Sequence, residues 1–458
     1  MDELIWSSAC SLARAIKAKH VSSTEVVQAH LQRIGQVNPQ LNAVFQINED
    51  RVLAEARAAD KAFGLGESMG PLHGVPMTMK DSFDTADIVT TGGVKARSGF
   101  VPEHDATVVN RLRRTGAILL GKTNTPELTL GCVTDNFVYG RTSNPYDPKR
   151  STAGSSGGAA AIIAAGGSPL DLGSDTGGSI RLPAHYCGIV GIKPTSGRVP
   201  RTGHTISFDV GPNEALTQIG PMARFVEDLV LTLPLISGPD WQDPAIVPME
   251  MRDAGQVDLK ALRVAFYTDN GIKRPTPETI AAVRSAASAL ADADMSITEE
   301  RPAPVKEADD LLYGLLTADG GETVRTLLAS FGTEDMHPAI AWTQERAALS
   351  RSQYGRLLAR WTVYRSRMLA FMEHFDLLLC PTSASPALPH EDEQGPDFSY
   401  TQAFNLAGWP AVVVPAGSSP EGLPIGVQIV AHPWREDVAL AAAARVEAAL
   451  GGWQRPGI

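Results

Sequence analysis

Cysteine is scarce in this chain, with four in 458 residues (Cys10, Cys132, Cys187 and Cys380) and no C-x-x-C pair. That signals neither a disulfide framework nor a zinc site. Reduced thiols are what a cytoplasmic protein carries, and the cytoplasm is the expected location. Positive charge is also in short supply: 40 Lys and Arg stand against 51 Asp and Glu, a formal net charge of -11. Nucleic acid and anionic membranes recruit clustered Lys and Arg, so neither is an expected partner. The acidic start Met1-Asp2-Glu3-Leu4 lacks the basic and then apolar run of a signal peptide. No charged residue falls between Ser151 and Leu170, yet this segment holds too much Gly and Ser to span a bilayer. Internal repeats and low-complexity linkers are missing too. With 43% hydrophobic and 20% charged residues, the composition is that of a folded globular protein rather than a disordered one.

What is plentiful is glycine beside serine. Gly154-Ser155-Ser156-Gly157-Gly158 opens a stretch that closes with Asp175-Thr176-Gly177-Gly178-Ser179-Ile180-Arg181. Glycine lets the backbone adopt positive φ and lets a substrate come close. Successive amides in such a turn converge on an anion. Thr176, Gly177, Gly178 and Ser179 therefore make a candidate oxyanion hole. The small residues 159–165 read as a short buried helix, with Ser155 and Ser156 as caps at its positive end.

Residues 5–66 read as helical. Ser22 and Glu25 form a capping box, and Val27, Leu31 and Ile34 recur at helical spacing. A second helix covers 49–61, and 64–70 is a loop. In Leu72-His73-Gly74-Val75-Pro76-Met77-Thr78-Met79-Lys80-Asp81, alternation predicts a short strand that ends at Lys80. Composition alone would leave that lysine exposed at a strand end. Residues 105–114 read as a helix and 116–122 as a strand. The piece from Gly116 to Thr123 matches the phosphate-loop pattern G-x-x-x-x-G-K-[ST]. A phosphate loop is not expected, because its middle residues are the strand itself and Pro126 blocks the helix that should follow. Gly154 to Gly158 likewise fits the G-x-S-x-G elbow, with Ser156 as nucleophile and His374, His390 or His432 as partner. A polar, proline-bearing loop precedes it where an elbow needs a strand. Further strands are expected at 186–193, 262–267, 376–382, 411–415 and 426–430. Helices are expected at 224–236, 275–292 and 436–450, and 300–372 is mostly helical. Strands alternating with helices give an α/β class with one large sheet. The chain reads as a single domain, residues 1–458, whose mostly helical 240–350 part is expected to cover the site.

A serine hydroxyl is a weak nucleophile until a base takes its proton. Lysine at its ordinary pKa of about 10.4 is charged and cannot be that base. Burial in an apolar setting disfavours the charge and lowers the pKa. If Lys80, Ser155 and Ser179 meet, neutral Lys80 draws a proton from Ser155, and Ser155 draws one from Ser179. Ser179 is the better nucleophile because its own turn carries the Gly177 and Gly178 amides. Ser155 would later protonate the leaving amine. No histidine occurs between His104 and His185. A direct Ser179–His185 pair stays open, with a packing role for His185 the expectation. Asp175 and Arg181 read as an ion pair that holds the turn. The alternative for Arg181 is a clamp on a substrate carboxylate.

Taken together, these motifs resemble those of the amidase signature family. The resemblance is carried by Gly-Ser-Ser-Gly-Gly, Asp-Thr-Gly-Gly-Ser-Ile-Arg and Gly-Val-Pro-Met-Thr-Met-Lys-Asp. It is carried also by their spacing, and by the runs Asn405 to Ala411 and Gly422 to Gln428. The resemblance implies a large mixed, twisted central β-sheet surrounded by helices. It implies a Ser-Ser-Lys triad, with Ser179 as nucleophile, Ser155 as bridging serine after a cis peptide bond, and Lys80 as base. A seryl acyl-enzyme follows, with neither metal nor organic cofactor. Thr129, Gly131 and Cys132 match the stretch that lines the acyl pocket. The implied activity is cleavage of amide C–N bonds in a small molecule, by a monomer or homodimer. Aryl amides or anilides, esters and carbamates (urethanes) are all within its range. Phe137, Tyr139, Phe208, Tyr313, Leu316 and Trp409 are candidates for an apolar or aromatic pocket and favour a stand-alone amidase. The alternative is the glutamine-hydrolysing component of a tRNA amidotransferase, which needs partner chains.

Overall fold

The computed structural model describes residues 3–65, 70–206, 216–392 and 394–458. Phe208 and residues 66–69 of the expected loop lie outside the described residues. Among the described residues there are eleven strands: β1 (Val44–Phe45), β2 (Pro76–Lys80), β3 (Ile118–Thr123), β4 (Leu170–Asp175), β5 (Val190–Lys193), β6 (Gln218–Ala223), β7 (Arg263–Phe266), β8 (Ser296–Glu299), β9 (Leu377–Pro381), β10 (Ala411–Ser418) and β11 (Pro424–Ala431). Eight of them form a mixed sheet in the order β4-β6-β5-β10-β11-β9-β7-β8. Neighbours are antiparallel from β4 to β9, while β7 pairs in parallel with both β9 and β8. The tight β10–β11 hairpin explains the antiparallel centre, because a short connection joins only antiparallel strands.

Both faces of this sheet are buried, so its strands read as continuous apolar runs rather than as polar–apolar alternation. The period of two still sorts their side chains between two cores. Val412 and Val414 of β10, Leu377 and Leu379 of β9, and Ile425, Val427 and Ile429 of β11 pack in one core with Val283, Leu290, Val438 and Val446. Those partners lie on the helices Pro277–Ala291 and Glu436–Leu450. Ala411, Leu378, Cys380 and Val430 face the other core, with Leu312, Tyr364 and Phe404. These come from the helices Ala308–Leu316, Arg351–Met372 and Gln402–Ala407. Residues 240–350 thus contribute two strands of the main sheet as well as helices. The inner strand expected at 186–193 is shorter: Arg181–Tyr186 is helical and only Val190–Lys193 is extended.

β1, β3 and β2 form a separate sheet, with β2 and β3 parallel. The expected large sheet is present, a small one stands beside it, and Lys80 belongs to the small one. Side chains join the two where a main-chain ladder would otherwise run. The Thr78 amide donates to Ser168 Oγ (3.0 Å) and the Lys80 amide to Asp171 Oδ1 (2.9 Å). Asp171 Oδ2 accepts from Thr78 Oγ1 (2.7 Å) and Thr123 Oγ1 (3.0 Å). The helices Ala9–Lys17, Ser23–Leu41 and Glu49–Gly64 form the N-terminal part. Ser22 and Glu25 close the expected capping box, with the Glu25 amide 3.1 Å from Ser22 Oγ and the Ser22 amide 2.8 Å from Glu25 Oε2. Among the described residues, no helix is long and apolar enough to cross a membrane.

Candidate active site

All residues of β2 are buried, and Lys80 is inaccessible to solvent. The exposed-lysine reading fails because the strand is covered on both sides, by its own sheet and by β4. The Lys80 amine donates to Ser155 Oγ (2.7 Å), Ser174 Oγ (2.9 Å) and Ser156 Oγ (3.0 Å). These partners are neutral hydroxyls. Burial pulls the Lys80 pKa down from 10.5 to about 7, with Asp171 and Asp175 pulling the other way. Asp171 is itself raised to about 6 by burial, against the hydrogen bonds it accepts.

Gly154–Ser155 is a cis peptide, as the resemblance implies. Ser156 occupies the cap position of the helix Gly157–Ala164, but its side chain makes no cap hydrogen bond. That expectation is corrected by a competing partner: Ser156 Oγ is taken by Lys80, and Thr134 Oγ1 accepts from the Gly157 amide instead (3.1 Å). The helix packs close because its residues are small. A Cβ at Gly158 would sit 2.4 Å from the Asn124 amide nitrogen. The Ser156 amide donates to the Ser179 carbonyl (3.2 Å), which ties the two serine turns together. No hydrogen bond joins the Ser155 and Ser179 hydroxyls, and the Ser179 side chain has no partner among the described residues. Ser179 retains 9% exposure, whereas Ser155 retains 1%, so the nucleophile candidate is the one that meets the pocket.

The Ser179 turn is held from behind. Arg181 and Asp175 are both fully buried and paired through two contacts, Nε to Oδ2 (3.0 Å) and Nη2 to Oδ1 (2.9 Å). Burial would raise the Asp175 carboxyl, but the Arg181 guanidinium and the Asn405 amide hold it at about 2. Arg181 also donates to the Thr401 carbonyl (2.8 Å), Gln428 Oε1 (3.1 Å) and Asn405 Oδ1 (2.6 Å). Its donors are spent inside the fold, which rules out the carboxylate clamp. Thr401 Oγ1 donates to the Gly177 carbonyl. Gly178 has φ 144°, and a Cβ there would lie 2.3 Å from Thr401 Oγ1, so only glycine fits. The amides of Gly177, Gly178 and Ser179 donate to no described residue, as an oxyanion hole requires.

Thr129, Gly131 and Cys132 line a cavity of about 350 Å³ together with Thr176, Gly177 and Ser179. The rest of its wall is Leu130, Leu312, Tyr313, Leu316, Trp342, Glu345, Phe398 and Gln402. Tyr313 and Leu316 are where the sequence expected them. Trp409 is not: it is 1% exposed, in the core against the sheet. Phe137 lies at the surface against His337, and Tyr139 stacks on Phe45. Trp342 and Phe398 went unrecognised because only tertiary packing brings them here. Trp342 is anchored by donating from Nε1 to the Leu130 carbonyl (3.1 Å).

The competing motifs find structural roles. Lys122 is buried within β3 and donates to the Phe83 carbonyl and to Thr85 Oγ1 (2.7 Å), so Gly116–Thr123 is a strand and not a phosphate loop. His185 accepts at Nδ1 from the Gly426 amide (2.8 Å), and Nε2 lies 3.0 Å from the Ser385 carbonyl. It packs and does not pair with Ser179. His390 and His432 are held by the Pro148 and Phe375 carbonyls, and Ser156 is wholly buried, so no elbow forms.

The same architecture occurs in known proteins. The family model Amidase matches residues 25–440. An acylamidase of Rhodococcus erythropolis is 34% identical over 470 residues, covering 98% of this chain and 96% of the relative. A glutamyl-tRNA(Gln) amidotransferase component of Acidothermus cellulolyticus is 36% identical over 486 residues, covering 98% and 95%. Among solved structures, a bacterial aryl acylamidase of the amidase signature family superposes with a TM-score of 0.88 at 28% identity, covering 97% of this chain and 96% of its own. On this match and on the site just described, the chain belongs to the amidase signature family of enzymes that hydrolyse amide C–N bonds.

Proposed function

We propose that this protein is a stand-alone acylamidase, cleaving amides of apolar or aryl character and related carbamates through a Ser179–Ser155–Lys80 relay. The observation that carries this reading is the dry Lys80 amine, 2.7 Å from Ser155 Oγ and tied through the adjoining Ser156 amide to the Ser179 turn. Deprotonated, the amine keeps two N–H groups for Ser156 and Ser174 and turns its lone pair to Ser155, its shortest contact. Ser155 passes its proton to Lys80 and takes the proton of Ser179 when that hydroxyl rotates towards it. Ser179 Oγ attacks the carbonyl carbon, and the amides of residues 177–179 receive the oxyanion. The C–N bond breaks as Ser155 returns a proton to the departing nitrogen and regains one from Lys80. Water then hydrolyses the acyl-serine by the same proton path in reverse.

The wall of the cavity favours this over the amidotransferase reading. Its apolar residues suit an acyl or aryl group, and its charged side chain, Glu345, is a carboxylate that accepts from the Tyr313 hydroxyl (2.8 Å). A glutamine substrate brings its own carboxylate, which needs a cation when desolvated. Ser179→Ala tests the reading. Turnover of a simple anilide should fall at least about 10³-fold, as for loss of a nucleophile in a serine hydrolase. A fluorophosphonate should label Ser179 in the wild type. Retained turnover, or labelling at another serine, refutes the assignment. Glutamine hydrolysis in preference to anilides favours the amidotransferase reading.

A further inference from the structure

The chain is acidic as a whole, but one part of its surface is not. The helix Arg351–Met372 carries five arginines and no Asp or Glu, in a chain of net charge -11. Two of the five, Arg356 and Arg360, line an open cavity of about 320 Å³ together with Arg346. All three are exposed to solvent. Small-molecule sites begin at about this volume. The carboxylate of this cavity, Asp310, is already taken by Arg360 (Nη2 to Oδ2, 3.1 Å). Arg356 donates to a neutral partner, Ser352 Oγ (2.7 Å), and Arg346 lies over the Tyr313 ring with Cζ 4.2 Å from its centroid. Neither has a carboxylate partner among the described residues. Three guanidiniums against one carboxylate leave two positive charges uncompensated around one hollow. A concave wall of one sign concentrates counter-ions. Guanidinium also presents paired N–H donors that match carboxylate and phosphate oxygens.

This cavity shares a wall with the active site. On the helix Ala308–Leu316, Asp310 and Gly314 line the arginine cavity, while Leu312, Tyr313 and Leu316 line the one that holds Ser179. Tyr313 is engaged twice: Arg346 covers its ring, and Glu345 of the active-site wall accepts from its hydroxyl (2.8 Å). An anion that engages Arg346 competes with the ring for the guanidinium. We infer that the arginine cavity is an effector site for a small, multiply charged oxyanion, a phosphate ester or a di- or tricarboxylate, whose occupancy reaches the active-site wall through Arg346 and Tyr313. The site lies outside the catalytic constellation and goes beyond the acylamidase reading.

Calorimetric titration of the full chain with pyrophosphate and with citrate, at constant ionic strength, reads binding without substrate. One anion per chain should bind with a Kd below about 1 mM. Arg356→Gln should weaken binding at least about 10-fold, the worth of one charge-assisted hydrogen bond, and leave anilide turnover unchanged when no anion is present. Saturating anion should shift the wild-type KM for an anilide by at least about fivefold, the lower end of measured couplings. Arg346→Gln should lose that shift even when saturated. If the chain does not turn over anilides, the acylamidase reading falls, and the rate of fluorophosphonate labelling reads the coupling in place of KM. Absent binding, or a Kd unchanged in Arg356→Gln, overturns the inference. So does a KM shift that sodium chloride of equal ionic strength reproduces, or one that Arg346→Gln retains. Binding with no shift reduces the cavity to a bare ion site and overturns the effector role. Capture by anionic phospholipid vesicles without binding of either soluble anion would assign the arginines to a membrane surface and overturn it as well.

Discussion

Lys80→Met is expected to abolish activity while making the fold more stable in acid and less stable in base. The wild-type amine has a folded-state pKa of about 7 against an ordinary 10.5. At about 1.4 kcal/mol per unit, that drop corresponds to about 5 kcal/mol favouring the unfolded state wherever the amine is charged there and must be neutral or desolvated in the fold. The unfolded chain holds the extra proton between about pH 7 and 10.5, so the wild type gains stability as pH rises through that window. The penalty is full below pH 7 and gone above 10.5. Methionine carries no charge and fills a similar volume, but forfeits hydrogen bonds to Ser155, Ser156 and Ser174. At about 1 kcal/mol each, those are worth about 3 kcal/mol. The variant should therefore be more stable by about 2 kcal/mol at pH 6 and less stable by about 3 kcal/mol near pH 10.5. Urea melts of both proteins across this range measure the difference, in which the titrating groups remote from Lys80 cancel. A difference that does not change with pH refutes the buried, neutralised lysine.

The same pKa shapes the rate. kcat/KM for an anilide should fall tenfold per pH unit below about 7 and level off above it; a limb near 10 would mean a solvated amine. Lys193 also sits at about 7 but donates to the Pro194 carbonyl, so Lys193→Met should leave that limb in place. Arg181→Met strands Asp175 as an unpaired buried carboxylate and should cost about 3–5 kcal/mol in denaturant unfolding. An unchanged midpoint would deny the pair its structural role. Gly178→Ala should lower kcat without a matching rise in KM, because its Cβ meets Thr401 Oγ1 and displaces the oxyanion donors. Wild-type kcat in that variant would remove residues 177–179 from the oxyanion hole.

Local signals were the legible ones. The capping box at Ser22 and Glu25 and the final helix, Glu436–Leu450, follow from short-range pattern, and the structure has both. The proximity of Lys80 and Ser155 was legible only through the resemblance to the family, since composition alone would leave that lysine exposed at a strand end. Long-range partners were not. Asn405 and Gln428 stood out as part of recognisable runs, yet nothing local says that both are bound to Arg181, 224 and 247 residues away. Trp409 reads as a pocket aromatic, but it follows the C-terminal turn of the helix Gln402–Ala407 and is swallowed by the core. Ser156 reads as a helix cap because local propensity cannot foresee a lysine arriving from another sheet.

Asp171 spans the join between the two sheets, accepting from Thr78, Lys80 and Thr123 on one side while its own backbone belongs to the other. The proposed base and nucleophile are thus mounted on different rafts, moored by that carboxylate together with the hydroxyls of Ser168 and Ser174. Under mild denaturant, turnover should vanish as soon as the rafts drift, well before either loses its own helical signal.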